Sequence, residues 1–364
     1  MKSWAALTVF AAVCYNSGEI SRGWRSVVTI VDVANRASVS TMTVSRVINN
    51  ATSVSESTRT RVLLAMQELN YVPNSIARSL VSGRTHTLGL IIADLTNPFF
   101  TTLARGAEDA AHKHLHRLVI CNHDDDIDKE RTYIEALISA RVDGMVITPA
   151  SNESAANLNI IKQHRIPFIF VDRIVNSINA DHVVGDSMIG AYELTTHLLR
   201  QGHRQIGIVS GPLNIHTASE RFKGYQAALT DFGVEIRQEL VLYMPYGPNV
   251  DTAVPAMDQG IRTMLSQNPM PTAIFALNNV IAIQVLRTLR RLGLAVPEDV
   301  ALACFEEVDP YELMQLDIST AIQPAYALGE ESVHMLFRRI ENPDKPYESV
   351  VLKPRLQLRS VQRK

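Results

Sequence analysis

Residues 29–50 read TIVDVANRASVSTMTVSRVINN. The Thr29 hydroxyl precedes the Asp32 carboxylate by three residues, the spacing of a capping box that opens a helix. Val33, Ala34 and Ala37 then recur at helical spacing and give that helix one apolar face. Ser38-Val39-Ser40 interrupts it, and Ser40 suits the N-cap of a second helix over residues 41–48, with Val44 and Val47 turned inward. A third helix over about residues 57–69 carries Val62, Ala65, Met66 and Leu69 on one stripe. Two short helices joined by a tight turn and closed by a third make a helix-turn-helix.

The second helix leaves Thr41, Met42, Ser45, Arg46 and Asn49 on the side away from the core. Such a helix can enter a major groove with its first turn against base edges. Arg46 can pair with guanine through two hydrogen bonds, and Thr41 and Met42 suit thymine methyls. Ser40, Ser45, Ser55 and Thr58 can donate to phosphates. Charge supports this end of the chain as the nucleic-acid side. Residues 27–84 hold six Arg and no Lys against Asp32, Glu56 and Glu68, whereas the whole chain carries a net charge of −2. A basic head therefore sits on an acidic body. By pattern alone, a three-helix bundle with a merely solvated polar face remains open.

Pro73 ends the head, and Asn74 can cap a short element over residues 75–81. That element is too short to hold as an isolated helix. Two fates are open for Leu80. It is a wedge in the minor groove if the segment folds only on DNA, or it packs on the body from a flexible linker.

The ordered run TIVDVANRASVSTMTVSRVINN, followed by VSESTRTRVLLAMQELNYVPNSIARSL, resembles the DNA-binding head and hinge helix of the lac-repressor/galactose-repressor family, especially its catabolite-control branch. The resemblance implies that Thr41, Met42 and Arg46 read bases. It implies that Ser40, Thr43, Ser45 and Asn49 touch phosphates, with Ser55 and Thr58 added from the residue chemistry. It also implies that Leu80 intercalates from the minor groove with Ala77 near its floor.

Beyond residue 86, short apolar runs alternate with amphipathic stretches, the signature of parallel α/β structure. Candidate strands lie at 88–93, 118–121, 145–148, 168–171, 182–184, 206–210, 240–243, 273–277, 300–304 and 320–322. Candidate helices lie at 99–114, 129–141, 187–201, 218–232, 252–267, 280–292 and 325–340. So many strands suggest two doubly wound sheets, with a ligand cleft between their carboxyl ends. Polar and aromatic residues collect there: Asp94, Asn97, Phe99 and Phe100, then Asp172-Arg173, Arg221, Tyr246, Asn278-Asn279, Glu306-Glu307 and Gln323. Taken singly, each is as readily a loop cap or salt-bridge partner. Together they suit a small polyhydroxylated ligand, because aromatics sandwich a sugar ring while carboxylates, amides and Arg bind its hydroxyls.

The resemblance extends through the body to about residue 359, which is similar to periplasmic sugar-binding proteins. It implies effector contacts from Asn97, Phe99, Phe100, Asp172, Arg173, Arg221, Asn278, Glu306 and Gln323, and the strand-end reading adds Tyr246. Two positions depart from the family pattern. Glu306 stands where an Asp is usual, and Asn279 where Asp often follows the Asn. Both leave the effector open among sugars, sugar acids and sugar phosphates.

The expected organisation is an N-terminal extension (1–26), a helix-turn-helix head (27–72), a hinge helix and linker (73–86) and a two-lobed effector and dimerisation body (87–364). A composition of 46% hydrophobic and 20% charged residues over 364 residues excludes collagenous, largely disordered and many-span membrane proteins. Residues 4–15 form an apolar run of signal-peptide length. The preferred account is an overlong start, with translation beginning near Val27 or Val28. Cys14, Cys121 and Cys304 form no CxxC, which fits a reducing cytoplasm. His112, His114 and His116 are expected on one helix, with only His112 and His116 at i and i+4 and the face solvated, and Asp124-Asp125-Asp126 as a helix-opening acid cluster before Lys129. No metal or cofactor is expected. The absence of GxGxxG, P-loop and GxSxG patterns argues against an enzyme.

The expected function is that of a cytoplasmic transcriptional regulator, a dimeric repressor of carbohydrate-metabolism genes. It would bind a pseudopalindromic double-stranded operator and respond to a small polyhydroxylated effector. No leucine heptads follow the last apolar run, so a dimer is expected rather than a tail-driven tetramer. The rival account is a secreted or anchored sugar-binding protein, which would use residues 1–15 but leaves the Arg-rich head without a role.

Overall fold

Capping side chains start the first two helices of the head. Thr29 Oγ1 accepts from the Asp32 amide at 3.4 Å while Asp32 Oδ2 accepts from the Thr29 amide at 2.8 Å, which opens α1 (Ile30–Ala37). Ser38, in the left-handed region at φ 52°, ends it. Ser40 Oγ accepts from the Thr43 amide at 3.2 Å and opens α2 (Thr41–Ile48). The third helix, α3, spans Glu56–Glu68. Val33, Ala34 and Ala37 of α1 meet Val44 and Val47 of α2 and Val62 and Ala65 of α3 in a small core. Arg36 and Arg59 brace this unit from outside, Arg36 to Glu68 at 2.6 Å and Arg59 to the Ala51 carbonyl at 2.8 Å.

The computed structural model describes residues 28–49, 51–72, 84–245, 250–306 and 317–359. The chain forms two units, one through Gly83 and one from Arg84 onward. The second unit is built as two lobes with the same strand order. Its elements are β1 (Thr87–Ile92), α4 (Pro98–Lys113), β2 (Arg117–Asn122), α5 (Ile127–Ser139), β3 (Gly144–Ile147), α6 (Ala155–Gln163), β4 (Phe168–Val171) and β5 (Asp181–Gly185). They continue with α7 (Ser187–Arg200), β6 (Ile206–Ser210), α8 (His216–Asp231), β7 (Val241–Tyr243), α9 (Val250–Leu265), β8 (Ala273–Ala276), α10 (Asn279–Arg291), β9 (Ala301–Phe305) and β10 (Ser319–Ile322). The chain closes with α11 (Ala325–Glu341), β11 (Ser349–Leu352) and β12 (Arg355–Gln357). The first sheet runs β11-β5-β4-β3-β1-β2, all parallel, and the second runs β12-β10-β9-β8-β6-β7 with only β12 antiparallel. The backbone passes between lobes after β5, again after β10, and again between β11 and β12.

Each central strand is a short, wholly buried apolar run, as parallel strands covered on both faces must be. In the first lobe Leu90, Ile92, Val146 and Ile169 pack under Leu103 of α4 and Leu328 and Leu336 of α11. In the second, Ile208, Phe275 and Ala303 pack under Leu194 of α7 and Phe222 and Tyr225 of α8. The two helix pairs touch through glycine. A Cβ on Gly106 would lie 2.1 Å from the Tyr326 carbonyl oxygen, one on Gly329 would lie 1.9 Å from that of Leu103, and one on Gly224 would lie 2.2 Å from that of Met188.

Several elements differ from the sequence expectations. Helix α6 was not anticipated, because only Leu158 and Ile161 supply its buried apolar face. Strands β11 and β12 were not either: they are short edge strands without a fully buried residue, with weaker patterns than the buried runs. Helix α4 stops at Lys113, so His116 is not an i+4 partner of His112 on a solvated face. It turns inward, and its Nε2 lies 3.2 Å from Asp143 Oδ2. The three aspartates also part company. Asp126 caps α5, Asp124 pairs with Lys129, and Asp125 reaches Arg173, so only Asp126 serves the helix opening alone. No described helix is long and apolar enough to cross a membrane.

Candidate functional site

On α2 the side chains of Thr41, Met42 and Arg46 are exposed, opposite the buried Val44 and Val47. Met42 leaves 62% of its surface open. At the start of α2 the Ser40 and Thr43 hydroxyls lie 3.0 Å apart, beside the helix N-terminus. At the start of α3 the Ser55 hydroxyl donates to that of Thr58 at 2.9 Å. Both helix openings thus present hydroxyls beside amide groups, the chemistry that holds a phosphate. Ser45 is half-buried and Asn49 exposed, at the far end of α2. Ala77 and Leu80 lie outside the described residues.

The body gathers its polar residues in one cleft at the carboxyl ends of the strands. Asn97, Phe99, Phe100, Asp172, Arg173, Arg221, Asn278, Glu306 and Gln323 all line it. Tyr246 and Glu307 lie outside the described residues. Asp94, Asp125, Thr217, Asn279 and Val280 line the same cleft and were not among the expected effector contacts. Asp94 and Asn279 were visible as residues just after strands; Asp125 was masked by its two acidic neighbours. The space the lining leaves for a ligand is small, about 80 Å³.

Local structure aims each group. Asn97 caps α4, its Oδ1 accepting from the Phe99 amide at 3.1 Å, which brings Phe99 and Phe100 to the cleft. The two rings meet edge to face with centroids 5.0 Å apart. Asn97 also exchanges amide hydrogen bonds with Asn279 across the lobes, at 3.2 and 2.9 Å. Asp172 follows β4 and Glu306 follows β9, corresponding places in the two lobes. Both adopt left-handed backbone, φ 65° and 68°. That conformation costs a non-glycine residue about 1–3 kcal/mol and is found where function requires a side chain to be aimed. Gln323 Nε2 donates to Glu306 Oε1 at 2.8 Å. Gly185 makes room for this amide, since a Cβ there would lie 1.9 Å from Gln323 Oε1.

Arg221 Nη1 donates to the Leu277 carbonyl at 2.8 Å, and its guanidinium stacks 3.9 Å from the Phe305 ring centroid. Arg173 Nη1 bonds Asp125 Oδ1 at 2.5 Å, and its Nε lies 3.7 Å from Asp172 Oδ2. Asp172 Oδ1, Arg221 Nε and Gln323 Oε1 are buried without a hydrogen-bond partner in the protein. Buried polar atoms are rarely left so, and the three together suit a ligand with several hydroxyls. Among the described residues no group of three or more His, Cys, Asp or Glu is placed to hold a metal ion.

Burial dominates the acid groups. It raises the Asp172 carboxyl above its ordinary range against the pull of Arg173 and Arg221. It pushes Glu306 up to about 7, again against Arg221 and the Gln323 hydrogen bond. The sign follows from linkage. A carboxyl whose folded pKa lies above its unfolded value favours folding while protonated, and that advantage is lost as pH rises through the folded pKa. Stability should therefore fall between about pH 5 and pH 8, with Glu306 contributing roughly 3 kcal/mol at about 1.4 kcal/mol per pKa unit. Urea unfolding at both pH values checks this: Glu306→Gln should flatten most of the slope and be the more stable protein at pH 8. An unchanged slope would remove Glu306 as its source.

A helix-turn-helix head on a two-lobed, cleft-bearing body defines a ligand-binding transcription regulator. The family comparisons agree. Residues 29–74 match the bacterial regulatory proteins of the lacI family, and residues 85–356 match the periplasmic binding proteins and sugar binding domain of the LacI family. The chain belongs to the LacI family: it is a transcriptional repressor with an effector-binding body, and not an enzyme. It is 32% identical over 320 residues to the HTH-type transcriptional repressor PurR of Aliivibrio salmonicida, covering 88% of this chain and 94% of that one. It is 31% identical over 331 residues to the ribose operon repressor of Haemophilus influenzae, covering 91% and 97%. A solved complex of the transcriptional regulator CelR with cellobiose superposes with a TM-score of 0.68 at 27% identity, covering 92% of this chain and 99% of that one.

Proposed function

We propose that this repressor binds a pseudopalindromic operator as a cytoplasmic homodimer and is switched by a neutral sugar held in the body cleft, a pentose or hexose acting on carbohydrate genes. The observation that carries the effector class is the charge of the cleft. Asp94, Asp125, Asp172 and Glu306 face it, against only Arg173 and Arg221. Arg173 is engaged by Asp125 and Asp172, and Arg221 stands between the Leu277 carbonyl, the Phe305 ring and the two buried acids. Among the described residues, even with Glu306 half-protonated near pH 7, a phosphate or carboxylate would meet no surplus of positive charge. Hydroxyls, which both donate and accept, match such a lining. The ribose-operon name of one relative and the cellobiose bound to another agree with a neutral sugar. Calorimetric titration with D-ribose, D-glucose, D-ribose 5-phosphate and D-gluconate tests it. Binding of a neutral sugar and not of the anions is expected; preferential binding of a phosphate or sugar acid would overturn the effector assignment.

Strand β2 supports the dimer. It is the outer strand of the first sheet, and it exposes Val119 and Ile120, with Leu115 open over 84% of its surface just before it. An apolar sheet edge of this kind is normally covered by a partner. In the head, Thr41, Met42 and Arg46 would read bases while Ser40, Thr43, Ser45, Asn49, Ser55 and Thr58 hold the backbone. Leu80 would wedge the minor groove beside Ala77. Arg46→Ala should weaken operator binding by roughly 1–3 kcal/mol and relax preference at one base pair. Anisotropy titrations against operators varied one position at a time read this out, and an unaltered preference would place Arg46 outside base readout.

A further inference from the structure

Arg173 is held from behind by a turn with an unusual construction. Directly after β2, Asp124 and Asp125 both take left-handed backbone, φ 54° and 57°, though neither is glycine. Two consecutive residues in that region need the surrounding structure to hold them there. Here Asn122, His123, Asp126 and Lys129 are all engaged around the turn. Asn122 Oδ1 accepts from the Leu95 amide at 2.7 Å, and its Nδ2 donates to Asp124 Oδ1 at 2.6 Å. The Asp124 amide donates to the Ala93 carbonyl at 2.8 Å, and the Asp124 carboxylate pairs with Lys129. Asp126 caps α5, accepting from the Asp128 and Lys129 amides at 2.8 and 3.0 Å.

His123 is the centre of this arrangement. It is fully buried, and its Nε2 donates to the Thr148 carbonyl at 2.9 Å. That fixes the tautomer: Nδ1 carries no proton and accepts the Asp125 amide at 3.0 Å. Burial holds the ring neutral, with its pKa lowered to about 4, so the acceptor persists at physiological pH. The turn's remaining carboxylate, Asp125, is thereby aimed at Arg173 Nη1. The Pro149 and Ala150 carbonyls, 3.3 and 3.4 Å from the same nitrogen, complete its seat.

We propose that Asp125, aimed by the backbone hydrogen bond it gives to His123, is the positioning residue for Arg173, and that this His123–Asp125–Arg173 brace determines effector affinity. The consequence for effector rests on the neutral-sugar reading above; the brace does not. A guanidinium tied at one Nη cannot swing about its long side chain, so its other edge stays in one orientation toward the cleft. Without the brace Arg173 would gain alternative rotamers, and ligand binding would have to order it.

The test separates the brace from its consequence. Asp125→Asn keeps the shape and removes the charge. His123→Leu removes both ring hydrogen bonds, while His123→Asn keeps an acceptor where Nδ1 stands. In the full-length, ligand-free protein with ¹⁵N-labelled arginine, the Arg173 side-chain signal, assigned by its loss in Arg173→Lys, should be protected from exchange with water. It should exchange faster in Asp125→Asn and His123→Leu and be retained in His123→Asn. Should His123→Leu fail to fold, Asp125→Asn and His123→Asn still decide the matter. Calorimetry with D-ribose should show Kd raised about tenfold in Asp125→Asn and within about threefold in His123→Asn, as expected when a charge-assisted hydrogen bond that orients its partner is weakened or kept. An Arg173 signal unaffected by Asp125→Asn would overturn the brace. A perturbed signal with unaltered sugar affinity would overturn its role in recognition. Failure of the wild-type protein to bind D-ribose or any other neutral sugar would count against the effector reading and leave the ligand-free comparison to judge the brace.

Discussion

Arg221→Ala is expected to abolish the effector response at sugar concentrations that switch the wild type, while operator binding in the absence of sugar stays within a few-fold of wild type. Arg221 is buried, its charge faces Asp172 and Glu306, and its plane lies on Phe305. Removing one member of a buried ionic group costs about 3–5 kcal/mol because the remaining charge is stranded. Part of that cost is relieved when the acids take up protons, which leaves them weaker acceptors for sugar hydroxyls. That cost falls on the fold; the loss of sugar affinity comes from the missing charge-assisted hydrogen bonds, about 1.5–3 kcal/mol each, or roughly tenfold to a hundredfold. Sugar-dependent change in operator affinity is the readout. A variant that still responds at wild-type sugar concentration would show that the switch lies outside this cleft.

Gly329→Val is expected to be the most damaging single change to stability. Its Cβ would lie 1.9 Å from the Leu103 carbonyl oxygen and 2.9 Å from the Ala107 amide, so the obstacle is helix backbone and not a movable side chain. Helices α4 and α11 must then separate, and with them the packing of Leu103, Leu328 and Leu336 over the first sheet. Backbone displacement combined with core opening places the loss at about 4 kcal/mol or more, beyond the range of ordinary substitutions. Urea unfolding should show a midpoint far below wild type or no folded baseline. A loss under about 1 kcal/mol would mean that the helix pair separates easily and does not hold the lobe together.

The head was legible almost residue by residue because its determinants are local. Thr29, Asp32 and Ser40 are caps whose partners lie three residues away, and Val33, Ala37, Val44 and Val47 face inward by helical spacing. The central strands were legible because wholly buried parallel strands are continuous apolar runs. Phe168–Val171 and Ile206–Ser210 carry no polar residue before their ends. Strands β11 and β12 were not, since an edge strand without a fully buried residue carries a weaker signal. Most cleft residues could be named from their position after strands. Asp125 could not, because its direction depends on two consecutive left-handed residues at Asp124 and Asp125; Asp tolerates that backbone better than most residues, but three in a row do not say which of them adopt it. The acid triplet had a sufficient local explanation in the helix dipole. Only the third dimension shows that one of its members turns away to meet Arg173.

The most direct test of a sugar-switched repressor is to select binding sites from random duplex DNA with the purified protein, then measure affinity for the recovered site at physiological salt with and without each neutral sugar. The account predicts a pseudopalindromic site whose affinity changes by at least about tenfold, or about 1.4 kcal/mol of coupling, with one neutral sugar and not with its phosphate. Recovery of no sequence above the nonspecific, salt-dependent background, or a site indifferent to every neutral sugar, would contradict it.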